Sequence, residues 1–221
     1  IELKCAPWLL KENGLKNLKI NKKKFIYLIS PNKITIHFYQ NLEEVLKTGK
    51  VSIFQLRLKK YTIKQKEMIG KKIKKICKKN DVKFLVNDDP FLAKKINADG
   101  CHLGQKDKNI VKVRKIIGNK IIGITCHNSI RLAKSAIKNK ASYLAFGAFF
   151  LTKTKRTRHK ATTKILNEAK KLTKTPLVAI GGINSSNYKN LLLNNANFLA
   201  ISGYIWNNKK YKPLKAIENL K

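Results

Sequence analysis

One pattern limits this chain more than any other: eight short apolar, β-branched runs alternate with eight Lys-rich segments whose apolar residues recur at helical spacing. The runs are FIYLIS (25–30), VSIFQLR (51–57), VKFLVN (82–87), DGCHLG (99–104), KIIGIT (120–125), SYLAFG (142–147), PLVAIG (176–181) and NFLAIS (197–202). Strands separated by helix-length segments pair in parallel through right-handed crossovers. The runs are apolar on both faces, as strands are when helices cover one side and a packed interior the other. Near-equal units without a Gly-rich dinucleotide fingerprint favour closure over an open doubly wound sheet. The expectation is an α/β chain folded as a single (β/α)8 barrel of the TIM type over residues 25–221. A basic lead-in, 1–24, precedes it, with Trp8, Leu9 and Leu10 packed on the barrel exterior or against a partner. Asp89-Pro90 reads as N-cap and first helical residue, and Asn184-Ser185 as the opening of the helix after the seventh strand.

Charge bears on partners. Lys and Arg number 49 against 12 Asp and Glu, a net charge of +37. Alone this points to nucleic acid or an anionic membrane surface. The excess is nearly all Lys, however, and is spread through every helical segment in company with Asn and Ile, which share its A/T-rich codons. It reads mainly as solvated surface that favours phosphorylated substrates, with no membrane partner and nucleic acid disfavoured; a homo-oligomer is compatible with it. No apolar run nears the roughly 18 residues of a membrane span. Cys5, Cys77, Cys101 and Cys126 form no C-x-x-C and no metal spacing with the histidines, so reduced cytoplasmic thiols are expected.

Barrel enzymes carry their sites at the C-terminal ends of the strands. Strand two ends in Gln55, Arg57 and Lys59, which alternation puts on one side of the chain, converging at the rim. Strand three ends in Asn87, Asp88 and Asp89, and Asp107 follows strand four. Strand five ends in Thr125, with His127 just beyond. Thr152, Lys153, Thr154 and Lys155 follow strand six, Gly181-Gly182 strand seven, and Ile201-Ser202-Gly203 strand eight.

These groups bind phosphate and Mg²⁺. Asp88 and Asp107 can share one hard cation, with phosphate oxygens and water filling the other positions; Asp107 could equally cap the next helix, and Asp89 is read as a cap. Arg57 offers a bidentate fork, and Lys59 and Lys155 point charges, for a polyphosphate. Gly-Gly and Ser-Gly turns let the backbone approach a monophosphate, or are simply tight turns. His102, inside strand four, is read as core. Cys126 and His127 point oppositely on an extended segment, and Lys155 lies in a loop rather than a strand, which argues against an aldolase.

QLRLK (55–59), VNDDPFLA (86–93), ADGCHLGQKD (98–107), GITCH (123–127), FGAFFLTKTK (146–155), VAIGGI (178–183) and LAISG (199–203), in this order, resemble the thiamine phosphate synthase family. The resemblance covers about residues 25 to 206. It implies a transferase that joins a hydroxymethylpyrimidine diphosphate to a thiazole phosphate and releases pyrophosphate. It further implies that Gln55, Arg57, Lys59, Asn87, Thr125 and Lys155 bind the pyrimidine diphosphate and that Asp88 and Asp107 hold Mg²⁺. Thr152 and Thr154 would meet the thiazole phosphate, with Gly182, Ile201 and Ser202 on its phosphate. Arg57, Lys59 and Lys155 carry the catalysis so implied: they stabilise departing pyrophosphate from a pyrimidinyl cation, with no strong general base.

Three departures stand out. Leu151 replaces a usual Pro, Thr125 replaces Ser while keeping the hydroxyl, and residues 153–160 are unusually basic. A related thiazole tautomerase uses a His at the position of His127 but generally lacks the paired Asp and the diphosphate-binding lysines. A non-enzymatic polyanion binder is the third reading.

Overall fold

Residues 24–152 and 159–221 are described by the structure, a computed structural model. Eight parallel strands close into a barrel in chain order. They are β1 (Ile26–Ile29), β2 (Val51–Leu56), β3 (Lys83–Asn87), β4 (Gly100–Leu103), β5 (Ile121–His127), β6 (Tyr143–Gly147), β7 (Leu177–Ile180) and β8 (Phe198–Ile201). Between them run α1 (Phe38–Lys47), α2 (Ile63–Lys79), α3 (Pro90–Lys95), α4 (Ile110–Ile117), α5 (Ile130–Lys138), α6 (Thr163–Leu172) and α7 (Tyr188–Leu193). Two short helices, α8 (Gly203–Trp206) and α9 (Pro213–Glu218), follow β8. The expected (β/α)8 barrel is the observed fold. No helix among the described residues is long and apolar enough to cross a membrane.

The Lys-rich segments form helices because their apolar residues line one stripe. In α2 the buried positions Ile69 or Gly70, Ile73 and Cys77 recur three and four apart, and Lys71, Lys72 and Lys75 between them face water. Its start is set by a capping box: Thr62 accepts from the Gln65 amide and Gln65 reaches back to the Thr62 amide. Asp89 caps α3 as expected, accepting from the Leu92 amide at 2.9 Å with Pro90 in the first turn.

Two local expectations change. Strand five runs on to His127, with a register irregularity between Thr125 and His127. After β7 the helix opens at Asn187 rather than Asn184-Ser185. The Asn184 side chain is taken up inside the preceding turn, accepting from the Ser186 amide and hydroxyl, which delays the helix by three residues.

The core has two layers. Outward-facing strand residues such as Ile26, Phe54, Val86, Cys101, Cys126 and Leu144 pack with the helices. Inward-facing ones, Tyr27, Ile53, Leu85, Ile121, Tyr143, Val178 and Phe198 among them, fill the barrel. Burying each such side chain contributes about 1.5–3 kcal/mol. Alternation then decides what stands above the packed interior. Gln55 follows Ile53, Asn87 follows Leu85, and Thr125 follows Ile121 and Gly123, all on the inward register.

Gly123 is the tightest fit in that interior: an added Cβ there would overlap the Tyr143 ring. Gly123→Ala should therefore lower stability by about 1–3 kcal/mol, read from the midpoint of urea unfolding at unchanged slope. An unmoved midpoint would show that the Tyr143 ring can step aside.

Candidate active site

A cavity of about 520 Å³ opens at the C-terminal ends of the strands. The residues anticipated from the sequence that line it are Gln55, Arg57, Lys59, Asn87, Asp88, Thr125, Thr152, Gly182, Ile201 and Ser202. Asp107 stands behind Asp88. Thr154 and Lys155 lie outside the described residues.

β2 delivers the cationic side. Gln55 is buried inside the barrel rather than at the rim, its amide nitrogen donating to the Tyr27 hydroxyl at 2.6 Å. Arg57 comes next on the same register, half-buried, and its amide donates to Ser30 Oγ at 2.9 Å. Burial depresses the Arg57 pKa and the Asp88 charge raises it; a guanidinium stays charged under such shifts. Ser30 also ties the opposite half, its carbonyl accepting from Ser202 Oγ at 3.2 Å. One buried serine thus spaces Arg57 from Ser202.

β3 and β4 deliver the acidic side. Asp88 adopts a left-handed backbone, φ 63°, which Asp tolerates better than most residues. The Asp107 side chain does not cap α4, because Asn109 does so by accepting from the Val111 amide at 2.7 Å. Asp107 instead turns back to accept from the Gly104 amide at 2.6 Å, which sets it against Asp88. Although Asp88 keeps solvent contact, partial burial at the strand end lifts its pKa to about 6. The hydrogen bond to Asp107 and that residue's charge add to the rise, while Lys59 and Arg57 oppose it.

Among the described residues no group of three or more His, Cys, Asp or Glu side chains is placed to hold a metal. Two facing carboxylates nonetheless suit a hard dication that takes its remaining oxygens from a phosphorylated ligand and water. The donor set fits Mg²⁺ on those terms.

The far side is built differently. Gly181 and Gly182 turn with φ 107° and 63°, and a Cβ on either would run into residues 148–151. Bare backbone therefore faces the cavity beside Ile201 and Ser202. His127, φ 53°, also lines the cavity and stacks on His159 with centroids 4.2 Å apart. Its neighbour Cys126 points away into the outer core, as expected.

His102 corrects the sequence reading. It is nearly buried, as a core residue would be, but it faces the barrel interior, lines the cavity and holds two hydrogen bonds, to Tyr143 and Thr125. Tyr27, Tyr143 and Ser30 were not anticipated. A tyrosine on the inward register of an otherwise apolar barrel needs a partner for its hydroxyl, and that was the signal available. Cys101 and Cys126 are buried, which pushes their thiols up to about 12, so neither is a reactive thiolate.

The Asp88 shift has a sign that can be tested. A carboxyl whose folded pKa is raised above 3.8 costs no stability below that pH. Its cost grows from pH 4 to about 6 and persists above. Asp88→Asn, which keeps a residue tolerant of positive φ, should match the parent at pH 3.5 and exceed it at pH 7.5. Screening by water holds the gain under about 1 kcal/mol. Thermal melts at the two pH values check it; a variant less stable at pH 7.5 would contradict the shift.

The comparisons with known proteins bear on this geometry. A family model described as thiamine monophosphate synthase matches residues 26–205. A thiamine-phosphate synthase of Pelagibacter ubique (strain HTCC1062) is 67% identical over 208 residues, 94% of this chain and 100% of that one. Another, of Erythrobacter litoralis (strain HTCC2594), is 39% identical over 196 residues, 86% of this chain and 92% of that one. Among solved structures, a thiamine phosphate pyrophosphorylase from Pyrococcus furiosus superposes with a TM-score of 0.79 at 29% identity, covering 90% and 94% of the two chains. A 3-hexulose-6-phosphate synthase from Salmonella typhimurium, at 14% identity and a TM-score of 0.67, shares the fold alone. By its strand-end motifs and over most of its length, this chain belongs to the thiamine monophosphate synthase family.

Proposed function

We propose that this chain couples 4-amino-2-methyl-5-(diphosphooxymethyl)pyrimidine to a thiazole phosphate, releasing pyrophosphate and giving thiamine phosphate. One observation carries the reading beyond family membership: a single cavity with two unlike halves. Arg57, Lys59, Asn87 and Asp88 furnish one side, and the backbone at Gly182 with Ser202 the other. That arrangement suits a diphosphate and a monophosphate held side by side.

The reaction needs a leaving group and a nucleophile more than a base. The methylene C–O bond breaks with its electron pair on pyrophosphate, and the lone pair of the thiazole nitrogen forms the new C–N bond, so no proton need move. Arg57 and Lys59, with Lys155, bind the diphosphate and stabilise the charge gathering on it. Gln55, Asn87 and Thr125 complete the hold on the pyrimidine diphosphate. Thr152 and Thr154 contact the thiazole phosphate, whose phosphate is held at Gly182, Ile201 and Ser202. Catalysis is then positioning plus electrostatics. Asp88 and Asp107 would hold Mg²⁺, which when bound neutralises diphosphate charge.

The proposal takes residues 25–221 as the catalytic barrel and 1–24 as a basic lead-in, and places the enzyme in the cytoplasm; three buried free thiols, Cys77, Cys101 and Cys126, support that placement. The isomerase reading keeps one specific observation, His127 in the cavity wall, and the same assay separates the two.

Purified protein given both substrates should release pyrophosphate with Mg²⁺ and lose most turnover without it. Tautomerase turnover with no pyrophosphate would overturn the proposal. Arg57→Ala, Asp88→Ala and Asp107→Ala should each cut kcat/KM by about 10²–10³ in folded protein, while His127→Ala should only dent it.

A further inference from the structure

Along the floor of the cavity, five polar side chains from five strands form one unbroken line. Gln55 Nε2 donates to the Tyr27 hydroxyl at 2.6 Å. The Tyr27 and Tyr143 hydroxyls lie 2.7 Å apart, and the Tyr143 hydroxyl lies 2.8 Å from His102 Nδ1. His102 Nε2 in turn lies 2.8 Å from Thr125 Oγ1. The rings reinforce the line, Tyr143 meeting Tyr27 edge to face and stacking on His102. Gln55 and Thr125 at the ends of the line, and Tyr27 and His102 within it, line the cavity.

Counting hydrogens gives the line a direction. Each hydroxyl has one to donate. The Tyr27 oxygen already accepts from Gln55, and at 1% exposure its own hydrogen needs an acceptor within the barrel; Tyr143 supplies one. If Tyr143 donated to Tyr27 instead, the Tyr27 oxygen would take two donors and its buried hydrogen would lose this partner, an arrangement proteins avoid. Tyr143 therefore donates onward to His102 Nδ1. That nitrogen must be bare, so the imidazole is neutral and carries its hydrogen on Nε2, which it donates to Thr125. The Thr125 hydrogen is left to point into the cavity. Turning the Gln55 amide over would reverse every one of these bonds, because each link is a group that can only pass its polarity along.

We propose that this line is a polarity relay: the Gln55 amide fixes His102 in the Nε2–H form and makes Thr125 a hydrogen-bond donor and Gln55 Oε1 an acceptor toward the cavity. Tyr27, Tyr143 and His102 are positioning residues in this scheme. The ligand so selected presents an acceptor, such as a phosphate oxygen, at Thr125 and a donor, such as a ring amine, at Gln55. That last step rests on the proposed function; the tautomer does not.

The test reads the tautomer directly. In uniformly ¹⁵N-labelled protein at pH 8, long-range ¹H–¹⁵N spectra should show His102 neutral and protonated on Nε2, its signals identified by their loss in His102→Gln. An Nδ1–H form or an imidazolium in the parent protein overturns the relay, and this needs no variant to fold. Gln55→Glu, whose carboxylate only accepts, should reverse the line and move the hydrogen to Nδ1; Tyr143→Phe added to it should abolish the effect. A His102 spectrum unchanged by Gln55→Glu overturns the relay as well. Tyr143→Phe alone should lower kcat/KM for pyrophosphate release about tenfold, one hydrogen bond's worth, with the melt of a folded protein. Predicted tautomers with unaltered turnover would leave the relay standing and place the fault in the functional reading.

Discussion

At the level of Tyr27 and Tyr143 the barrel interior changes character. Below, Ile53, Leu85, Ile121 and Phe198 fill it with hydrocarbon; above, Arg57, Asn87 and Asp88 face the open cavity. The two tyrosines can stand at that boundary because each offers a ring to the layer beneath and a hydroxyl to the layer above. Their mutual hydrogen bond at 2.7 Å lets both hydroxyls be buried without cost. Gln55 and His102 extend the same solution to β2 and β4. Without it the cavity floor would have to be wholly apolar, and the polar side chains above would lose the scaffold that fixes their height.

Backbone strain is distributed with a similar logic. Gly49, Asp81, Asn97, Gly118, Lys140 and Asn195 have positive φ at helix-to-strand turns, where a left-handed residue ends a helix economically. Asp88, His127, Gly181 and Gly182 have it at the opposite pole, just beyond β3, in β5 and beyond β7. There no helix is being ended. The left-handed turns swing side chains or bare backbone toward the cavity, and strain concentrated in such places is what functional sites show.

Much of the fold was legible because its signal is redundant. Each strand is a short apolar run flanked by breakers, and an error at one of the eight would leave the alternation intact. The expected runs exceed the observed strands by a residue or so at their ends, except at β5, where the irregularity at His127 has no local sequence signature. The rim residues were legible for a related reason: parity along a strand determines facing, so Gln55, Arg57, Asn87 and Thr125 follow from Ile53, Leu85 and Ile121. What parity does not give is depth. It put Gln55 at the rim when it lies inside, and it left His102, surrounded by apolar neighbours in sequence, looking like core. Those two residues differ from ordinary core through partners on other strands, Tyr27 for Gln55 and Tyr143 and Thr125 for His102, and pairings across a barrel are not written in any local window.

Depth also explains how a chain of net charge +37 keeps an acidic pair. Surface lysines interact with distant carboxylates through water, and at physiological salt that attraction is spent within about 8 Å. What Asp88 feels is nearer: partial burial and Asp107 on one side, Lys59 and Arg57 on the other. The two cations oppose the rise without cancelling it, because burial, the largest cause, acts together with Asp107 against them. The acidic pair therefore keeps its own local balance of charge inside a strongly basic chain.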